Sequence, residues 1–326
     1  MNESREEKLK GLPKQSPEEQ LEAKFQGIKK LCDLFSTSAK PIGSGYSGLV
    51  VDMGDGTITK FFRFNFCDNE QRQILNEACL LEAFNGRVGE FRTPLLTSEP
   101  VILPIDHPLR RYGVAVGYLS MQKMEGSTLE WGQLSRTLTK EEWKEHLYQI
   151  GVLVASIHEA TKNVHFDFSA ELRSFPIYAA WIKDLEMRKI IDMCNEWFEK
   201  NQKCGFVHGD VVGRNIISVN SGRRIDGILD FSLSGIYSNQ HFDFREINQE
   251  WVAPVVAGYE SISGEKLELS LIEMSQLKRL AEVTQELSEC LSKDKGKRQE
   301  EERQLENWKS IFEKRLKSLA NDLALQ

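Results

Sequence analysis

The chain has 326 residues, 40% hydrophobic and 28% charged, long enough for two lobes of a folded soluble protein and somewhat short for three full domains. Its net charge of −7 disfavours general nucleic-acid binding and is compatible with a cationic small substrate. No apolar run approaches the roughly 20 residues of a membrane span. The start MNESREEKLKGLPKQSPEEQ is too charged for a signal peptide. Six scattered cysteines without CxxC pairing read as reduced thiols, so a cytoplasmic protein is expected.

Early glutamates after Ser16-Pro17 and helically spaced apolar positions predict a helix over 17–35, inside an N-terminal extension of residues 1–38. Two β-rich runs, 41–51 and 57–64, flank Gly54-Asp55-Gly56 and predict an antiparallel hairpin. A helix is expected over 69–84, then strands near 98–103 and 113–121. Residues 121–126 read as a linker, so 39–125 form a sheet-rich, nucleotide-binding lobe and 126–326 a helical one. In the second lobe, helices are expected at 139–160, 176–201, 243–260 and 268–292, interrupted by a β-hairpin at 206–231. The tail from Leu305 places Trp308, Ile311, Phe312, Leu316, Leu319 and Leu323 on one face, read by default as a helix docked on its own core and otherwise as a partner-binding helix.

The run Phe206-Val-His-Gly-Asp-Val-Val-Gly-Arg-Asn-Ile-Ile217, followed by Gly227-Ile-Leu-Asp-Phe231, carries the most chemistry. Two apolar stretches each deliver a carboxylate to a loop, and an Asn follows the first carboxylate by five residues. Phosphoryl transfer from ATP needs this set: Asp210 to orient the acceptor hydroxyl and take its proton, Asn215 and Asp230 to hold Mg²⁺. His208 is expected to order the loop, because Asp210 is better placed as a base. Arg214 reads equally as a phosphate contact or a solvated side chain.

Gly43-Ser44-Gly45-Tyr-Ser-Gly48-Leu-Val50 has the form GxGxxGxV. Alone it is a weak signal, and a plain glycine turn competes with it. A dinucleotide-binding loop must open a helix, whereas a strand and hairpin follow here, as in a loop that covers phosphates. Lys60, twelve residues on, can reach the α and β phosphates from the second hairpin strand. Glu77, seventeen residues later, can hold that lysine, with Glu70 and Glu82 as competitors. The backbone of Gln122 to Met124 is expected to meet the adenine edge, with Met121 behind the base. No GxxxxGK[ST] run is present, which excludes a P-loop mechanism.

Together these motifs resemble the aminoglycoside phosphotransferase and choline kinase family of small-molecule kinases, from about Ala39 to Tyr259. His208-Gly-Asp-Val-Val-Gly-Arg-Asn215 matches its HGDxxxxN, and Ile228-Leu-Asp-Phe231 resembles its metal-binding strand. Leu119 to Leu129 is similar to its hinge, and Ile150 to His158 to the helix that precedes its catalytic loop. Asp243 occupies the place of the Asp that supports that loop. Ser232 departs from the Gly of protein kinases, and Ser238-Asn239 from a common Gly-Asp. The resemblance implies an α+β, two-lobed, protein-kinase-like fold. It also implies a kinase using ATP or GTP with Mg²⁺ to phosphorylate a hydroxyl on a small, cationic molecule. Glu246 and Glu250, read as one turn apart on a helix, are candidates for a cationic acceptor beside the plainer reading of a solvated face. Two rivals remain: a protein-substrate kinase, disfavoured by the dozen residues between Asp230 and Asp243, and a nucleotide-binding pseudokinase scaffold, disfavoured by the full polar set.

Overall fold

A computed structural model of the chain describes residues 17–30, 37–44, 48–63, 70–111, 114–128, 131–162, 164, 176–293 and 299–324. In chain order it begins with α1 (Pro17–Lys29), β1 (Lys40–Ser44), β2 (Gly48–Asp52), β3 (Thr57–Phe62) and α2 (Glu70–Phe84). Short strands β4 (Arg87–Val88), β5 (Phe91–Arg92) and β6 (Val101–Ile102) precede α3 (Pro108–Arg111), β7 (Gly117–Gln122) and β8 (Ser127–Thr128). Helices α4 (Trp131–Thr137), α5 (Lys140–Thr161) and α6 (Leu185–Asn201) lead to β9 (Gly205–Val207), β10 (Ile216–Val219), β11 (Arg224–Ile228) and β12 (Gly235–Tyr237). The chain then runs through α7 (Val252–Ser263), α8 (Leu269–Lys293) and α9 (Gln299–Ala324).

Two compact units divide it: residues 1–85 with 94–124, and 86–93 with 125–326. The first is built on a sheet of order β1-β2-β3-β7-β6. Its hairpin turn works because Gly54 and Gly56 take positive φ, while Asp52 Oδ1 accepts from the Gly54 amide at 2.9 Å. Phe25 and Ile28 of α1 join Leu49, Val51 and Phe61 in one buried cluster, so this helix belongs to the first unit's core. It ends at Lys29, and residues 31–36 of the expected helix lie outside the described residues.

In the second unit, β4-β5-β11-β10-β8 form one sheet and β12-β9 another. The expected hairpin over 206–231 is therefore two pairings: β10 with β11, and β9 with β12 beyond it. Helix α6 starts at Leu185, not near 176, because Asp184 caps it by accepting from the Met187 amide at 2.9 Å. Upstream, the Asn195 amide binds both the N–H and C=O of Ile177 and holds that segment out of the helix. The expected helix at 243–260 is broken into 3-10 turns at Gln240–Phe244 and Gln249–Trp251 before α7. Pro254 is tolerated in the first turn of α7, where its absent N–H would find no intrahelical partner. Helix α9 buries Phe312, Leu316, Leu319 and Leu323 in a cluster with α6 and α8. No helix among the described residues is long and apolar enough to cross a membrane.

The second unit depends on a close crossing of α5 and α7. A Cβ on Gly151 would lie 1.9 Å from the Val255 carbonyl oxygen, and one on Gly258 2.0 Å from that of Tyr148. Backbone cannot yield as a flexible side chain does, so Gly151→Ala is expected to lower stability by about 1–3 kcal/mol or more. Chemical denaturation would measure it, and an unchanged midpoint would mean the helices slide apart at no cost.

Candidate active site

In the first unit, β3 pairs Lys60 with Val50 of β2 and Leu119 of β7, and α2 carries Glu77. Lys60 Nζ lies 2.7 Å from Glu77 Oε2, with both side chains almost fully buried. Nζ also sits 4.8 Å from the centre of the Phe62 ring, a cation–π contact. A buried ion pair fixes geometry more than it adds net stability, because desolvation offsets the attraction. Here it holds one lysine amine at a defined point on the sheet.

The expected glycine loop is only partly described. A Cβ on Gly48 would meet the Phe61 carbonyl oxygen at 1.7 Å, so that glycine is required by the approach of β3. Around Gly43 no atom of the described residues stands within 4 Å of such a Cβ, so their packing does not account for that glycine. Ser44 ends β1, and Gly45 lies outside the described residues. Met121 is buried opposite Ile58. The Gln122 amide donates to the Leu95 carbonyl at 2.8 Å, and that of Lys123 to Gly56 at 2.9 Å. Two of the three amides expected to face a base are thus spent within the protein.

The second unit builds its set on the turn between β9 and β10. Asn215 Nδ2 donates to the Asp210 backbone oxygen at 2.9 Å and to its Oδ2 at 2.8 Å. Arg214, 70% exposed, places Nη2 at 3.1 and 2.9 Å from the two carboxylate oxygens. His208 spends both ring nitrogens on the loop: Nδ1 accepts from the Asp210 amide at 3.2 Å, and Nε2 faces the Leu229 carbonyl at 3.1 Å. Burial pushes its pKa down despite the surrounding carboxylates, and the neutral ring suits those two bonds.

Asp230 follows β11 in the left-handed conformation, φ +63°, which Asp tolerates better than most residues. Its Oδ1 accepts from the Ser232 hydroxyl at 2.6 Å, so the serine that stands where protein kinases carry glycine orients this carboxylate. Beneath the loop, Asp243 accepts from the His208 and Gly209 amides at 2.9 and 2.8 Å, and from His158 Nε2 at 3.1 Å. Burial opposes ionisation of Asp243, yet the His158 hydrogen bond and the Gly209 amide together hold its carboxyl below the usual range. Tyr259 of α7 in turn anchors His158 Nδ1 at 3.0 Å.

Sequence reasoning missed Arg245. Its Nη2 stands 3.7 Å from Asp210 Oδ1, with the guanidinium 4.1 Å over the Phe242 ring. Its position two residues after Asp243 was the available signal. The Glu246–Glu250 idea also needs correction: the two fall in a turn and in a separate 3-10 turn, not on one helical face. Glu246 accepts from Arg279 Nε at 2.7 Å, so its charge is matched within the protein.

An α+β chain with a buried strand-lysine–helix-glutamate pair and a hydrogen-bonded Asp–Asn turn has the makings of a kinase-like phosphotransferase. Residues 38–244 match the profile of the phosphotransferase enzyme family, known as APH, and the chain belongs to that family. The fold recurs in an amicoumacin kinase, hAmiN, in complex with AMP-PNP, Ca²⁺ and Ami, at 15% identity and a TM-score of 0.62 over 90% of this chain and 95% of that one. Choline kinase LicA from Streptococcus pneumoniae aligns at 14% identity and a TM-score of 0.55, over 91% and 99%. The GDP complex of aminoglycoside 2'-phosphotransferase-IIIa aligns at 12% identity and a TM-score of 0.56, over 94% and 99%. At these identities the likeness establishes the protein-kinase-like fold. No curated protein matches the sequence significantly.

Proposed function

We propose that the protein transfers the γ-phosphoryl group of ATP, with GTP as the alternative donor, to a hydroxyl of a small molecule. The observation that carries this reading is the Asp210 turn. Its carboxylate is held by Asn215, and its backbone is held by a buried aspartate and a neutral histidine. Such a carboxylate can align an acceptor hydroxyl and take its proton as the new P–O bond forms. Lys60 would steady the nucleotide phosphates, and the Met124 amide would read the base edge beside Met121 and Gln122. Gly43, Ser44, Gly45 and Gly48 would cover the phosphates.

The donors offered to a metal are hard oxygens. Asn215 spends its amide nitrogen on Asp210, which directs its carbonyl oxygen to a ligand, and Ser232 fixes the Asp230 carboxylate. Among the described residues no group of three or more His, Cys, Asp or Glu could hold an ion alone. That fits Mg²⁺, which commonly takes one or two protein ligands and fills its sphere with phosphates and water. When bound, the ion would offset charge on the transferring phosphoryl oxygens.

A cationic acceptor rests on the relatives, whose structures include kanamycin and gentamicin complexes and a choline kinase, not on Glu246. The test is Mg-ATP consumption by the purified protein against pooled aminoglycosides, amino alcohols and uncharged sugars. Acceptor-stimulated turnover supports the reading. Nucleotide binding with no turnover on any pool, or on protein substrates alone, would sink it.

Lys60→Met is expected to cut kcat/KM for ATP at least a hundredfold and break the buried Lys60–Glu77 ion pair, which costs about 3–5 kcal/mol. Glu77→Gln keeps a hydrogen-bond acceptor and should cost less stability while still lowering kcat/KM. Equal kinetics in both variants and wild type would show that another cation serves the phosphates.

A further inference from the structure

The first unit also holds a cavity of about 230 Å³ that neither the hinge nor the Lys60–Glu77 pair uses. Ile28 of α1, Leu49 of β2, Phe61 of β3 and Val114 supply its apolar wall, while Lys24 and Arg63 supply its charge. Arg63 Nη2 is buried with no hydrogen-bond partner among the described residues. Buried donors are nearly always paired, and a desolvated guanidinium N–H without an acceptor is costly. Across the same cavity the Lys24 amine has its pKa lowered, first by burial and then by the charge of Arg63. The Arg63 N–H beside an apolar chamber is met by an anion, and a planar carboxylate suits a guanidinium best.

We propose that this cavity binds a small amphiphilic carboxylate, its head on Arg63 and Lys24 and its aliphatic tail against Ile28, Leu49 and Phe61. At about 30 Å³ per water-sized group the chamber holds roughly eight such groups, the size of a six-carbon fatty acid. The tail would lie between α1 and the strand that carries Lys60, so an occupant ties the helix to the sheet. The inference does not depend on the phosphotransfer reading.

Thermal unfolding and calorimetric titration of the full chain with hexanoate test it, with hexan-1-ol and hexylamine as neutral and cationic counterparts. Hexanoate should bind saturably and raise the midpoint, hexan-1-ol should bind at least about tenfold more weakly, and hexylamine should not bind. Arg63→Gln should weaken hexanoate about tenfold or more, the cost of losing a charge-assisted pair. Lys24→Gln, on the exposed side of α1, should give a smaller loss. No saturable hexanoate binding, equal binding of the alcohol, or full binding by Arg63→Gln would each overturn the proposal.

Discussion

Asp210→Asn is expected to lower kcat by about a thousandfold while the Kd for the Mg-nucleotide changes less than about threefold. General-base transfer contributes on the order of a hundred- to ten-thousandfold, and Asn keeps the shape of Asp but cannot accept the proton. The substitution also removes the negative charge that Arg214 and Arg245 face, at 2.9 and 3.7 Å. Those guanidiniums would then be free to rearrange toward the phosphates, so nucleotide affinity should hold or rise. Steady-state kinetics and a nucleotide titration on the same preparation separate the two effects. If turnover survives within tenfold, Asp210 is not the base. If nucleotide binding collapses as well, the carboxylate is structural, and the loss of rate says nothing about proton transfer.

The parts of this site that could be read from sequence are those whose geometry is set by short spacing. An Asp and an Asn five residues apart in a tight turn between strands must lie close, and Asn215 reaches both the backbone and the carboxylate of Asp210. Lys60 and Glu77 sit on consecutive elements, which limits the ways they can meet. What failed depended on distant partners. Strand β9 pairs with β12, about thirty residues on, so the hairpin expected over 206–231 was drawn with the wrong neighbour. Gly86–Thr93 group with the second unit because β5 pairs with β11, a contact that local composition does not encode. Glu246 appeared open to a ligand because Arg279 is 33 residues away. The helix expected at 243–260 failed for a local reason that apolar periodicity hides: Asn239 caps a 3-10 turn through the His241 amide, and Asn248 precedes a second one.

Asp243→Ala is expected to produce the largest stability loss of any single change in the second unit, about 3–5 kcal/mol. It would strand the His208 and Gly209 amides and the His158 ring in a buried space, and an unmet buried donor costs about 1–3 kcal/mol. The same residue predicts how the protein responds to acid. Its folded pKa lies below the unfolded value, so its contribution is complete above about pH 4 and drains away as pH falls through the folded value. Buried histidines act in an earlier window. Burial lowers His146 to about 4 and His241 to about 3, and lowers His208 as well. Between those values and about 6.5 the unfolded chain binds the extra protons, so stability should begin to fall as pH drops below about 6.5. Urea unfolding of the wild type from pH 7.5 to 3 should therefore show two successive losses. Asp243→Asn should keep the histidine loss and shrink the one below pH 4, whose remainder belongs to Asp52, Asp55 and Glu142, each held below the usual carboxylate range. A flat profile down to pH 4 would mean the buried rings are solvated, and an unchanged acid limb in Asp243→Asn would show that Asp243 does not carry the charge the catalytic loop rests on.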